Sequence, residues 1–320
     1  MQKLLLLASL FLLPSVTLAT AQEYPTRLVT IVVPFTAGGP IDVITRLVVN
    51  PLSKELGQPV IVVNRPSAGG IVGMEFVIDS PADGYTLLAH NNSIAIVTHP
   101  KFDPLDAFKP IGTIAEVPML LVGRRNLEPR TFPQLRSYMQ KKQNSINIAS
   151  SGSGTISHLC ALAFLEQLNV QAQIIPYKGN APALTDLKAG HVDLLCEQIT
   201  TSQQSIVAGQ INAYAVVSNR KIDSLPKLPT LHSQGLTNMD LQAWYGLYVN
   251  QSTPSNIQEH LSKALQISLK DPEFQSSLRS LGASAISNDR ANPDQVTKDL
   301  IRERYKWLPL MLKDRVKNSQ

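Results

Sequence analysis

The chain repeats one pattern along most of its length: an apolar run rich in β-branched residues, a loop of glycine or small polar residues, then apolar residues at helical spacing. LVTIVVPF leads through Thr36-Ala37-Gly38-Gly39 into PIDVITRLVVNPLSKEL, and PVIVVNRP leads through Ser67-Ala68-Gly69-Gly70 into IVGMEFVIDS. YTLLAHNNS follows the turn signal Asp83-Gly84. Further on, INIAS leads through SGSG into TISHLCALAFLEQL, QAQIIPYKGN precedes APALTDLKAG, and HVDLLCEQ precedes ITTSQQSIVAGQ. Strands and helices alternating at this length predict an α/β protein whose sheets are mostly parallel and flanked by helices.

The rhythm breaks in the middle. AEVPMLLVGRRNLEPRTF, Ala115 to Phe132, carries an apolar run between two proline-bearing turns, and INAYAVVS ends before the proline-rich LPKLPT. These read as two crossings between lobes, near 116–124 and 213–220. Residues 22–117 and 220–320 then form a discontinuous first lobe and 118–219 a second, with two sequential domains as the alternative. The tail is helical in pattern after Pro254 and after Asn292.

The N-terminus reads as an export signal: Lys3 gives a positive start, Leu4 to Leu13 is an apolar block, and Ala19-Thr20-Ala21 fits a small-x-small cleavage site. The block is about half of the roughly 20 residues a spanning helix needs, so a cleaved signal is expected over a membrane anchor. Cleavage near Ala21 would put the mature chain in the periplasm. The formal charge is +5 over the 320 residues, and removing Lys3 with the signal leaves +4. No run of clustered Lys or Arg accompanies it, which excludes a nucleic-acid partner, and a mild positive charge favours small anions. In an exported chain the two cysteines, Cys160 and Cys196, fit either one disulfide or two buried thiols.

The first glycine loop, Thr36 to Gly39, stands where a strand hands over to a helix, with Pro40 suited to the first helical position. Unpaired N–H groups and the helix dipole make such a start a site for an anion, although a tight turn without ligand fits this loop equally well. A second loop of the same kind, Ser150 to His158, offers Gly152 and Gly154 with the hydroxyls of Ser151, Ser153, Thr155 and Ser157. One such loop in each lobe favours a cleft in which each holds one carboxylate end of a small molecule.

Enzymatic readings fail on spacing. Gly152-x-Gly154-x-x-Ser157 resembles a dinucleotide fingerprint, but the next strand ends in Ile175-Pro176-Tyr177-Lys178, with no acid for a ribose. Neither glycine loop continues into Gly-Lys-Ser/Thr. SGSGT lacks the Gly-x-Ser-x-Gly elbow of a hydrolase, and His158 lies one turn into the same helix as Ser153, a poor place for a base. No His-x-x-x-His occurs to suggest a metal. No enzyme activity and no cofactor are expected.

The loops in their order resemble the periplasmic solute-binding proteins of tripartite tricarboxylate transport systems, often called the Bug family. YPTRLVTIVVPFTAGGPIDVITR, LGQPVIVVNRPSAGG, SPADGYTLLAH, SSGSGTISHLC, PYKGNAPALTDLKAGHVDLLCEQITT, AGQINAYAV, LPKLPTLHSQGL and WYGLYV carry the likeness along nearly the whole mature chain. The resemblance implies a monomeric, two-lobed binding protein that closes on a dicarboxylate, tricarboxylate, amino acid or aromatic acid and delivers it to a two-component membrane permease. By motif, Thr36, Ala37, Gly38 and Gly39 would hold one carboxylate, partly through water. Ser67, Ala68, His90, Asn91 and Ser93 would line the first lobe. Ser151, Gly152, Ser153, Gly154, Thr155, His158, Tyr177, Lys178, Gly179 and Gln198 would line the second. SHLC and DLLCEQ occur in family members that join the two cysteines, so a Cys160–Cys196 bond is implied.

The chain departs from the family pattern in several places. Ile41 replaces a frequent Thr or Ser, Ser67 a frequent Gly, and Glu197 a common Asp, while HNNS, His90 to Ser93, is unusually polar and suits an extra hydrogen-bonding group on the ligand. Rival expectations are a sensor subunit for a receptor kinase and an exported hydrolase using Ser153.

Overall fold

The computed structural model describes residues 24–318, and the expected export signal lies outside the described residues. The chain begins with β1 (Val29–Val33), α1 (Pro40–Leu56), β2 (Val60–Asn64), α2 (Ile71–Asp79), β3 (Thr86–Asn91), a short α3 (Pro104–Ala107) and a long β4 (Phe108–Val117). It continues with β5 (Met119–Arg124), α4 (Phe132–Lys141), β6 (Asn147–Ser150), α5 (Ile156–Leu168), β7 (Gln173–Pro176), α6 (Asn180–Ala189), β8 (Leu194–Gln198), α7 (Ile199–Val207) and β9 (Ile211–Val216). It closes with β10 (Ala243–Asn250), α8 (Ser255–Ser268), α9 (Pro272–Ser280), β11 (Ser284–Ala285), α10 (Asn288–Ala291) and α11 (Pro293–Asn318).

Two sheets result, ordered β11-β4-β10-β3-β1-β2 and β7-β6-β8-β5-β9, and the fold is a two-lobed α/β fold. Both sheets are mixed. The repeated β–loop–α rhythm yields parallel pairing where it runs unbroken, of β1 with β2 and β3, and of β6 with β7 and β8. The interruptions come from strands that travel between lobes. β4 ends at Val117 and β5 starts at Met119, so the chain passes through Pro118 from one sheet into the other. β5 therefore enters antiparallel to β8 and β9. β10, returning after β9, enters antiparallel to β3 and β4.

Each parallel set places its loop ends on one side, where ligands bind in such sheets. The packing behind those loops is apolar. Ile44, Val48 and Leu52 of α1 recur at helical spacing and are buried against a sheet that contributes Val29, Ile31 and Val33. In the second lobe α5 is buried on most of its surface, which is why its apolar residues run almost continuously instead of forming one stripe. Cys160 on that helix and Cys196 on β8 form a disulfide with Cα atoms 6.1 Å apart.

The last helix connects both lobes. Arg304 of α11 makes a two-pronged ion pair with Asp103 at 2.6 and 2.7 Å and donates to the Ala95 carbonyl at 2.8 Å. Near its end, Lys313 pairs with Glu166 of α5 at 2.7 Å. The planar guanidinium anchors the helix to the first lobe, while the second contact is exposed and weak.

The disulfide closes a loop of 36 residues of sequence separation, and loop-closure entropy of that size corresponds to about 3–4 kcal/mol. Both cysteines are fully buried, so reductant reaches them only through unfolding. The expected result is that a Cys160→Ala, Cys196→Ala double variant unfolds in urea with a stability about 3–4 kcal/mol lower and an unchanged fold by circular dichroism.

Candidate functional site

The first glycine loop is fixed by its own helix. Asp42, in the first turn of α1, accepts the Gly38 N–H at 2.9 Å and hydrogen bonds from Arg46 and Asn64. Burial alone would raise its carboxyl, but these donors outweigh burial and hold it below the usual carboxylate range. Gly39 N–H turns back to the Thr36 carbonyl at 3.3 Å. The helix start already carries an anion, and two of the loop amides are spent internally. What the loop leaves open is the Thr36 hydroxyl, buried and without a hydrogen-bond partner.

The neighbouring loop contributes shape. Ser67 Oγ accepts the Val72 N–H at 3.0 Å and so shapes the entry to α2, while Ala68 opens a single 3-10 turn that ends at Gly70. At the end of β3, Asn91 Oδ1 accepts from both the backbone N–H and the hydroxyl of Ser93, at 2.9 and 2.6 Å. Those two side chains cap the turn. His90, fully buried, keeps one ring nitrogen, Nε2, without a partner.

In the second lobe the loop Ser151–Thr155 is likewise self-bonded. Ser151 donates to Thr155 Oγ1 at 2.9 Å, Thr155 donates to the Gly152 carbonyl at 2.7 Å, and the His158 N–H reaches Thr155 Oγ1 at 3.3 Å. His158 Nδ1 accepts the Gly154 N–H at 3.3 Å, leaving Nε2 to face Asp314 of α11 at 3.6 Å. Burial lowers the proton affinity of this ring, with Asp314 opposing. Ser153 is exposed, and no base is paired with its hydroxyl. A cavity of about 950 Å³ opens beside this loop, between α5, β7 and α11, with Ser150, Ser153 and His158 among its lining residues.

The lobes meet through these loops. A β-carbon built on Gly179 would lie 2.5 Å from Thr36 Oγ1, and the residue has φ of 149°, so the closest approach of the lobes here depends on glycine. A β-carbon on Gly69 would lie 2.8 Å from the Ser153 carbonyl. Tyr245 of β10 donates across the junction to Gln198 Oε1. Tyr177 and Lys178 take another direction: the Tyr177 hydroxyl donates to Asp186 at 2.6 Å and Lys178 is exposed. Their segment reaches the junction through backbone, the Tyr177 carbonyl lying 3.0 Å from where a Gly152 β-carbon would sit.

Several buried polar side chains near these loops are ones that the sequence does not single out. Ser150 at the end of β6 and Thr200 in the first turn of α7 are buried with unpartnered hydroxyls. Their signal was position alone, since each stands at a strand end of the parallel set. Asn180, directly after Gly179, donates to Glu197 Oε1 at 3.0 Å, and the same oxygen accepts the Gln198 N–H at 2.7 Å and the Thr201 hydroxyl at 3.0 Å. Glu197 Oε2 is buried without a partner. Chemically, unpartnered hydroxyls can donate to carboxylate oxygens. Among the described residues, no group of three His, Cys, Asp or Glu is placed to hold a metal.

Burial pushes the Glu197 carboxyl up to about 7, against hydrogen bonds from Gln198, Asn180 and Thr201 and the charge of Lys188. A raised pKa means its stabilising contribution is complete below its ordinary value of 4.5 and is lost as pH rises toward 7. At 1.36 kcal/mol per unit, the loss is roughly 3 kcal/mol. Glu197→Gln removes the titration and keeps an acceptor. Urea unfolding should therefore show the variant gaining roughly 3 kcal/mol on the parent between those two pH values. Parallel curves would exclude the effect.

Comparison with known proteins agrees with this geometry. The family model described as Tripartite tricarboxylate transporter family receptor matches residues 44–313. A protein of Agrobacterium vitis, the UPF0065 protein in the TAR-I ttuE-ttuC' intergenic region, is 40% identical over 280 residues, 86% of this chain and 81% of that one. The periplasmic binding protein BugD superposes with a TM-score of 0.86 at 36% identity, covering 91% of this chain and 98% of its own. MatC from Rhodopseudomonas palustris, solved with bound malate, gives 0.85 at 29% identity, covering 90% and 100%. With a family match across most of its length and two-lobed neighbours at that similarity, the chain belongs to the tripartite tricarboxylate transporter receptor family.

Proposed function

We propose that this protein captures a small organic carboxylate between its lobes outside the cytoplasm and delivers it to a two-component membrane permease. The observation that carries the reading is the set of buried, unpartnered hydroxyls of Thr36, Ser150 and Thr200, which stand at the loop ends of the two sheets. Buried hydroxyls without partners are costly, and a carboxylate offers several acceptor sites at once. That a relative of the same fold was solved with malate supports the choice of ligand class. In this reading the lobes divide near residues 117 and 220, and export places the mature chain in the periplasm.

The mechanism needs no covalent step. Open and closed forms lie close in energy, and ligand contacts to the second lobe supply the difference. The hydrolase alternative gains no support from Ser153, since the ring of His158, the base nearest in sequence, is engaged by Gly154 and Asp314.

A thermal-shift screen of dicarboxylates, tricarboxylates, amino acids and aromatic acids tests the reading, since a ligand of the folded form raises the melting temperature. At least one acid is expected to do so, and a screen without any shift contradicts the proposal. Thr36→Val keeps the shape and removes the hydroxyl. It is expected to weaken the acid so identified about tenfold in calorimetry, with little change in melting temperature without ligand.

A further inference from the structure

The polar stretch His90 to Ser93 contains one buried side-chain atom without a hydrogen-bond partner. Asn91 and Ser93 are bonded to each other, and Asn92 donates to the Gln242 carbonyl at 3.1 Å and accepts the Trp244 N–H at 3.4 Å. His90 differs. Its Nδ1 lies 3.0 Å from the Asn91 carbonyl, and a carbonyl only accepts, so Nδ1 carries the hydrogen. Burial lowers the ring's pKa to about 4, so the imidazole is neutral at ordinary pH. In that tautomer Nε2 is a bare lone pair, fully buried and unpartnered.

The surroundings of Nε2 place it between both first-lobe loops. A β-carbon built on Gly70 would lie 3.2 Å from Nε2 and equally 3.2 Å from Phe35 Cζ and Pro34 Cβ. Gly70 has φ of 76°, so glycine is favoured there for its backbone, and a side chain at this position would crowd the imidazole, Phe35 and Pro34 together. The Phe35 ring stands 5.4 Å from the imidazole. Burial and the Asn91 carbonyl govern its proton affinity, and no acidic side chain contributes.

We infer that His90 is a specificity residue: its Nε2 accepts a hydrogen bond from an uncharged hydroxyl on the bound acid, so the protein selects hydroxycarboxylates over the same acids without the hydroxyl. The inference rests on the carboxylate reading above and narrows it. An unpartnered acceptor cannot be satisfied by a carboxylate, which only accepts. An ammonium could donate, but in this apolar corner its charge would be buried without a counter-charge, which disfavours an amino acid. A site built around a hydroxyl discriminates against the analogue lacking it, because the acceptor is then left bare.

The test is calorimetry on the mature protein with two matched pairs, malate with succinate and citrate with tricarballylate, and with aspartate as the ammonium counterpart of malate. At least one hydroxy acid is expected to bind about tenfold or more tighter than its partner, and malate tighter than aspartate. His90→Phe should bring that ratio to about one through loss of the hydroxy acid, while His90→Gln, which keeps an acceptor, should preserve much of it. Should either variant misfold by circular dichroism, long-range proton–nitrogen spectra of the parent protein decide. The Nε2 resonance should respond to the hydroxy acid and not to its unsubstituted partner. Equal binding within both pairs, preference for aspartate, a ratio surviving in His90→Phe, or an unmoved Nε2 overturns the inference and leaves the carboxylate reading standing. Failure of every acid, here and in the wider screen, overturns both.

Discussion

The structure buries hydroxyl, imidazole and carboxyl atoms that the chain itself does not satisfy. Thr36 Oγ1, Ser150 Oγ, Thr200 Oγ1, His90 Nε2 and Glu197 Oε2 share this condition, and each unmade hydrogen bond in such a place costs about 1–3 kcal/mol. A protein of ordinary stability cannot carry many of these. The remaining structure makes the condition tolerable and specific. The disulfide holds α5 against β8, α11 ties the lobes at their backs, and Gly179 lets the front edges approach until Thr36 is covered.

The grip on an anion differs in kind from the one that glycine loops at helix starts suggest. The helix dipole of α1 is already answered by Asp42, whose carboxylate holds Gly38, Arg46 and Asn64. In the second lobe the hydroxyls of Ser151 and Thr155 organise the loop backbone. The loops act mainly as rigid frames, and the hydroxyls proposed to meet a ligand are those of Thr36 in the first loop and of Ser150 and Thr200 in the second lobe. Preorganisation of this kind limits the entropy lost when a small molecule is enclosed.

Much of the architecture was legible because it is periodic. Runs such as VTIVV and VIVVN, each followed by a glycine loop and apolar residues three and four apart, identify β1–α1 and β2–α2 without any distant partner. The antiparallel entries of β5 and β10 were not legible, since pairing across the molecule leaves no local period. The same limit applies at the site. Thr36, His90 and Gln198 stand in recognisable motifs, whereas Ser150 and Thr200 are set apart only by burial that leaves their hydroxyls without a partner, which packing decides. Glu197 stood out as a departure from its motif. Its contacts with Asn180 and Thr201 join three elements, and such contacts have no signature in sequence.

The most direct test is a crystal structure of the mature protein with the acid it binds best. The account requires carboxylate oxygens within hydrogen-bonding distance of Thr36 on one lobe and of Ser150 or Thr200 on the other, with both lobes enclosing the molecule. A ligand seated elsewhere, with those hydroxyls bonded only to protein or water in the closed form, would contradict it.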